Sequence, residues 1–373
     1  MDTRLATVER LPDCRDRHPE IKDPSIVRLP DGRFVMFASI GRTRGQRWVV
    51  GRFVADHPCG PWRELPPVRF HGLAGPQLCA PAVTYEERGG EPPWTMYIQT
   101  ACLEEDGVIA LATSRDGLNF HGRPEPVVTR RSLERGQPSL VGVYDAGVSR
   151  IRHRGRSLTC MLFTGCNRVG NGDLYLTVRD EARREEGWTP ARRVLGQHEV
   201  HFHNRPGYEH YEWGLEGAEL VQLGEDAYLM VGVCFLEKGR GEEGNRQRVF
   251  FAASGSPFGP FVPVSTPVRP AHYGEGRGEN GHPAAVVDGG SLHLVYQERA
   301  GEGRPWHLRH ATFPLAGLRT LVLETLRGGD GMPERVMPKV AADEGARDRP
   351  LADAGNTPRH GPPAREVDIL QAC

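Results

Sequence analysis

The chain has 373 residues, of which 38% are apolar, with 46 glycines, 31 prolines and a net charge of −1. That is enough chain to bury a sizeable core, and its wealth of turn-forming residues suits many short strands rather than helices. Near-neutrality leaves no global field to hold nucleic acid or a membrane surface, so neither is expected as a partner.

The first residues, MDTRLATVERLPD, contain no apolar stretch of signal-peptide length, and no run approaches a membrane-spanning helix, so a cytoplasmic location is expected. Eight cysteines (14, 59, 79, 102, 160, 166, 234 and 373) stand singly. Those inside apolar strands, Cys160 in LTCMLF and Cys234 in VGVCFL, read as buried thiols, consistent with a reducing compartment.

In chain order, a first unit opens at Asp23 in IKDPSIVRLPDGRFVMFASI. Ser25 to Leu29 reads as a strand, Pro30-Asp31-Gly32 as a tight turn and Phe34 to Ala38 as a second strand. RWVVGRFVA is a third strand, and CGPWRELPPV turns into a short fourth. The pattern recurs from CAPAVTYEE, from YDAGVSRIRHRGRSLTCMLFTG, from GLEGAELVQLGEDAYLMVGVCFL and from GHPAAVVDGGSLHLVYQER. The heads are Asp23, Ala80, Asp145, Glu216 and His282. They lie 57 (23 to 80), 65 (80 to 145), 71 (145 to 216) and 66 (216 to 282) residues apart.

Five units of about four strands at a near-fixed period predict an all-β fold, a five-bladed β-propeller with four-stranded antiparallel blades around a central channel. A single four-stranded sheet cannot bury both faces; radial packing and ring closure allow it. The competing architecture is a pair of β-sandwiches, which needs no polar heads at this period. The propeller is expected to span residues 1–335 as one domain. The fifth unit is one strand short, and LATVERL near the N-terminus is the strand that would close it. From about residue 341 to 373 the chain is polar and aperiodic and reads as a disordered tail.

In a propeller the first strand of each blade lines the channel, so Asp23, Asp145, Glu216 and His282 should converge at one mouth. Carboxylates crowded and partly desolvated there push their pKa values apart, leaving one as base and another as acid. Cleaving a glycosidic bond requires such a pair. Glu219, at an odd offset from Glu216, is expected on the opposite face of its strand.

These segments resemble glycoside hydrolase family 43 and its five-bladed relatives. KDPSIVRLPDGRFVMF is similar to that family's first blade, YDAGVSRI to its third, LEGAELVQLGEDAYLM to its fourth, GHPAAVVDGGSLHLVY to its fifth, and SPFGPF to a turn habitual there. The resemblance covers roughly residues 18 to 315. It implies an inverting glycosidase acting on a small glycoside or oligosaccharide, with Asp23 as general base, Asp145 as modulator, Glu216 as general acid and His282 near the channel axis. It implies no required cofactor, with an axial Ca²⁺ near His282 as the one ion it admits. Asp-Ala-Gly stands where Asp-Pro is usual and Glu-Gly-Ala where Glu-Gly-Pro is usual. The rival readings are a biosynthetic or phosphorolytic enzyme on the same fold, whose basic residues would be Arg205 or Arg277, and a carbohydrate-binding propeller without turnover.

One further stretch, GQHEVHFHNRPGYEHYEWG, holds His198, His201, His203 and His210 with Arg205, Tyr208, Tyr211 and Trp213. It reads as a loop over the mouth. Aromatic faces stack on sugar rings, and His203, Tyr208, Trp213 and Arg205 are the expected substrate contacts beside His282. His-x-His spacing also permits a metal, but no cysteine or carboxylate completes an obvious set there. GEGRGENGHP lacks the strand before and helix after that a phosphate cradle requires.

Overall fold

The computed structural model describes residues 7–10, 18–41, 48–73, 75, 77–101, 107–135, 140, 142–168, 171–196, 199–200, 214–236, 246–268, 278–301 and 304–328. The segment 341–373, expected to be disordered, lies outside them.

Five antiparallel sheets follow one another along the chain. Blade 1 holds β2 (Glu20–Arg28), β3 (Phe34–Gly41), β4 (Val49–Ala55) and β5 (Arg63–Leu65). Blade 2 holds β7 (Cys79–Tyr85), β8 (Trp94–Gln99), β9 (Ile109–Ser114) and β10 (Asn119–Gly122), and short β6 (Arg69–His71) lies parallel to β10. Blade 3 holds β11 (Gly142–His153), β12 (Arg156–Arg168), β13 (Asn171–Asp180) and β14 (Arg192–Leu195). Blade 4 holds β15 (Leu215–Gly224), β16 (Ala227–Leu236), β17 (Arg246–Ser254) and β18 (Val262–Ser265). Blade 5 holds β19 (Glu279–Asp288), β20 (Ser291–Arg299) and β21 (His307–Pro314), and its fourth strand is β1 (Thr7–Arg10). The N-terminal strand expected to close the ring therefore does so, antiparallel to β21 with Val8 opposite Ala311.

The core sits between blades. Strand alternation sends Met36 to one neighbour and Phe37 to the other. Met36 joins Phe34, Ile40 and Phe53 with Val295 and Leu308 of blade 5, whereas Phe37 joins Val35 and Val54 with Val83, Met96 and Ile98 of blade 2. Further clusters fill the seams of blades 2 and 3 (Tyr97, Leu111, Phe163, Tyr175), 3 and 4 (Leu158, Leu162, Leu220, Met230) and 4 and 5 (Leu229, Val231, Leu294, Tyr296). Neither face of a blade is left to water, which is why the strands read as apolar runs.

One element departs from the expectation of strands alone. The helix α1 (Leu315–Gly328) follows β21, and its Leu318 and Val322 are buried in the core between blades 4 and 5. Leu315, Leu318, Val322 and Leu326 recur on one helical face, and that burial outweighs the composition's bias toward strands.

Candidate active site

Each innermost strand is bent at its head by the same device. Pairing jumps from Lys22 to Ser25 on β2, Cys79 to Ala82 on β7, Tyr144 to Gly147 on β11, Glu216 to Glu219 on β15 and Gly281 to Ala284 on β19. Two residues then oppose one, a β-bulge. Its first residue takes a left-handed conformation: Asp23 (φ 50°), Ala80 (47°), Asp145 (50°), Gly217 (43°) and His282 (41°). Except at glycine this costs about 1–2 kcal/mol per residue. The second residue is Pro24, Pro81, Ala146, Ala218 or Pro283, a place where no ladder N–H is needed.

The bulges also show how the heads align. The blade 4 equivalent of Asp23 is Gly217, and Glu216 reaches in from the residue before the bend. Glycine is required at 217: a Cβ there would lie 2.9 Å from His282 Nδ1. The bulge corrects the expectation for Glu219. An odd offset puts two residues on opposite faces only in a regular strand, and the extra residue turns Glu219 back to the channel, where it lines a cavity with Asp23, Asp145, Gly217 and His282.

The bend is held from the preceding blade. The Asp23 N–H donates to Gln297 Oε1 (3.0 Å), the Ala80 N–H to Ser39 Oγ (2.9 Å) and the Asp145 N–H to Gln99 Oε1 (2.9 Å). Gln297, Ser39 and Gln99 lie opposite Gly281, Lys22 and Cys79, one residue before the bulge of their own blade. All three are buried. The Gln297 amide is itself oriented by donating to Gln247 Oε1 (3.2 Å).

His282 is the hub. Its Nδ1 lies 3.5 Å from Asp23 Oδ1 and 3.9 Å from Asp145 Oδ1, and its Nε2 lies 3.3 Å from Glu216 Oε2. The four separated head residues thus meet as expected. Burial opposes a charge on His282, but Asp145, Asp23 and Glu216 outweigh it and push the imidazole up to about 9. Burial pushes Asp145 up to about 7 against the attraction of His282, with Glu216 and Asp23 adding to the rise. Glu219, half-buried and accepting the Ala285 N–H (2.9 Å), is also pushed up to about 7 by desolvation. Asp23 Oδ1 is buried without a hydrogen-bond partner among the described residues.

Lys22 was not anticipated. Its Nζ lies 3.7 Å from Asp23 Oδ2 and 4.5 Å from the centroid of the Trp48 ring, with the side chain 8% exposed. It adds a second cation to the mouth, next to the carboxylate assigned as base. His198, His201, His203, Arg205, Tyr208, His210, Tyr211, Trp213 and Arg277 lie outside the described residues.

The central cavity has a volume of about 30 Å³, enough to hold water. Asp145, Glu216 and His282 could together offer three ligand atoms to a cation. Calcium takes about six to eight oxygens; two carboxylates and a ring nitrogen do not make a calcium cage by themselves. A metal on His282 and the proton that its neighbours hold there are alternatives.

No family model matches the sequence, and no curated protein matches it. Solved structures do. The catalytic domain of the Coprinopsis cinerea GH62 α-L-arabinofuranosidase superposes with a TM-score of 0.54 at 18% identity, covering 83% of this chain and 96% of that one. A GH43_1 enzyme from Xanthomonas citri gives 0.53 at 18% identity, covering 83% and 91%. A GH62 hydrolase in complex with xylotriose gives 0.54 at 16% identity, covering 81% and 94%. At these identities the likeness is one of fold, and this chain has the five-bladed propeller fold of these glycoside hydrolases.

Proposed function

We propose that the protein is a glycoside hydrolase that inverts the configuration of a small glycoside or oligosaccharide at the channel mouth. The observation that carries this reading is that Asp23 and Glu216 lie against opposite nitrogens of the one His282 ring. A ring and two contacts separate them, in keeping with the roughly 6.5–9.5 Å that leaves room for water in inverting enzymes. Asp23 is the base: its Oδ1, 3.5 Å from His282 Nδ1, accepts a proton from water as the water oxygen bonds to the anomeric carbon. Glu216 is the acid: it donates a proton to the leaving oxygen as the glycosidic bond breaks. Asp145 and His282 set the charge around this pair; Gln297 holds the backbone that aims Asp23, and Gln99 holds that of Asp145. The neighbouring structures, an arabinofuranosidase and a hydrolase complexed with xylotriose among them, support a carbohydrate as the partner. The pair requires no cofactor.

One observation favours a second reading. Lys22 beside Asp23 would suit an anionic co-substrate, so a phosphorolytic enzyme on the same pocket is the alternative. The test is release of 4-nitrophenol from a panel of aryl glycosides (arabinofuranoside, xyloside, galactoside), with and without inorganic phosphate, the first-formed anomer being read by proton NMR. Hydrolysis predicts turnover without phosphate and an inverted sugar. Turnover only with phosphate selects the alternative, and no turnover by folded protein on any glycoside contradicts both.

A further inference from the structure

The seam between blades 5 and 1 differs in kind from that between blades 3 and 4. Strand pairing fixes equivalent positions. The hairpins close at His153 opposite Arg156 and at Asp288 opposite Ser291, and Cys160 opposite Val178 matches Val295 opposite His310. Leu158 and Val178 of blade 3 therefore correspond to His293 and His310 of blade 5. The turn Gly255-Ser256-Pro257-Phe258-Gly259-Pro260-Phe261 corresponds to Asp56-His57-Pro58-Cys59-Gly60-Pro61-Trp62. At the first seam Leu158 and Val178 are buried in the core with Phe258 packed on it. At the second, the equivalent places hold His293, His310 and Cys59, with His57 beside them.

These four side chains form a chain of contacts outside the active site. The His293 and His310 rings stack with centroids 5.2 Å apart and Nδ1 and Nε2 at 3.0 Å. The His57 ring stands edge-on to His293 at 5.5 Å, and its Nδ1 lies 3.0 Å from Cys59 Sγ. His293 and His310 are only 6% and 2% exposed, and His310 Nδ1 is buried with no hydrogen-bond partner among the described residues. A nitrogen buried in that way is costly in a purely structural role, since leucine and valine fill the equivalent places. The two rings bond to each other through His293 Nδ1 and His310 Nε2. Facing them from neighbouring elements are Thr312, with Oγ1 3.5 Å from His293 Nδ1, and Asp288, whose carboxylate pairs with Arg28 at 3.2 Å.

We propose that His57, Cys59, His293 and His310 form a binding site for a borderline-soft divalent cation, zinc foremost, that joins blade 1 to blade 5. Imidazoles with a thiolate select zinc or cobalt over calcium or magnesium. As the side chains stand, the donors are not gathered around one point, and closing the set requires His57, exposed on its turn, to swing inward. Cys59 loses its S–H proton to solvent as the sulfur–metal bond forms. The site would bear on ring closure, because His310 lies on β21 opposite Glu9 of the N-terminal strand.

The test uses the full chain, stripped with a chelator and titrated with Co²⁺. Wild type is expected to take up one equivalent with an intense near-ultraviolet thiolate-to-cobalt charge-transfer band, which Zn²⁺ displaces. Cys59→Ala should abolish the band. The double variant His293→Leu/His310→Val, which installs the blade 3 residues, should fold and lose it too. Neither the channel carboxylates nor the histidine-rich stretch 196–214, which has no cysteine, can produce that band. No band in wild type, or a band that survives Cys59→Ala or the double variant, overturns the proposal. Should the double variant not fold, His57→Ala decides: Co²⁺ affinity at least tenfold weaker supports the site, and unchanged affinity overturns it.

Discussion

Blades 1 and 2 present the same backbone to the channel and opposite chemistry. Asp23 and Ala80 each open a bulge, each adopt a left-handed φ (50° and 47°) and each precede a proline. Each N–H is taken by a buried side chain of the preceding blade. At Asp23 this frame carries a carboxylate between Lys22 and His282; at Ala80 it carries a methyl group. The bend therefore belongs to the ring, and charged side chains are added to it blade by blade. A strained backbone here is not in itself a sign of function.

This comparison can be broken in several ways. The largest effect should come from the chemistry. Asp23→Asn and Glu216→Gln should each lower kcat/KM by about 10²–10⁴-fold, the usual contribution of a general acid or base, with little change in the denaturation midpoint. A loss under threefold in either would remove that residue from the pair.

The frame should matter next. Gln297→Leu and Gln99→Leu leave the Asp23 and Asp145 N–H groups without their acceptors, a cost of about 1–3 kcal/mol in each case. Urea denaturation should show that loss, and kcat should fall about tenfold with KM nearly constant, because the carboxylates stay but lose their aim. Loss of stability with kcat unchanged would make these residues purely structural.

A smaller effect is a slope in stability against pH. Asp145 and Glu219 are raised from 3.8 and 4.5 to about 7, so the folded protein holds protons that the unfolded chain releases. Their contribution is complete below about pH 4 and is lost as pH rises to about 7. His282, raised from 6.5 to about 9, contributes below pH 6.5 and loses that contribution as pH rises through 9. Each pKa unit corresponds to about 1.4 kcal/mol. Tm should therefore fall with rising pH over this range, and Glu219→Gln should flatten the part between pH 4.5 and 7. A slope identical in that variant would mean that Glu219 titrates normally.

The smallest effect tests the strain itself. Ala80→Gly removes the left-handed penalty of about 1–2 kcal/mol but frees the unfolded chain by about half of that, so stability should rise by up to about 1 kcal/mol in urea denaturation. A loss of stability would mean that the Ala80 methyl packs more than its backbone is strained.

The ring and its polar heads were legible because each unit repeats a turn between two apolar runs, and each head interrupts an apolar strand with a charged or small residue. The latch could be read by counting strands. The inward turn of Glu219 could not, since parity along a strand fails wherever a bulge adds a residue, and the bulge at Gly217 and Ala218 appears only once β15 is paired with β16. Gln99 and Gln297 look like ordinary strand residues; their role exists only across a blade seam. Lys22 looks like a surface lysine until Trp48 and Asp23 enclose it. Helix α1 was legible in the spacing of Leu315, Leu318, Val322 and Leu326, a local period that the overall composition masked.

The central claim is that Glu216 is the proton donor and Asp23 the base. Its most direct test is kcat/KM for a series of aryl glycosides of increasing leaving-group ability, measured on wild type, Glu216→Ala and Asp23→Ala. Loss of the acid should weigh least on the best leaving groups, so the Glu216→Ala defect should shrink steeply along the series while the Asp23→Ala defect stays constant. Equal defects along the whole series in both variants would contradict the assignment.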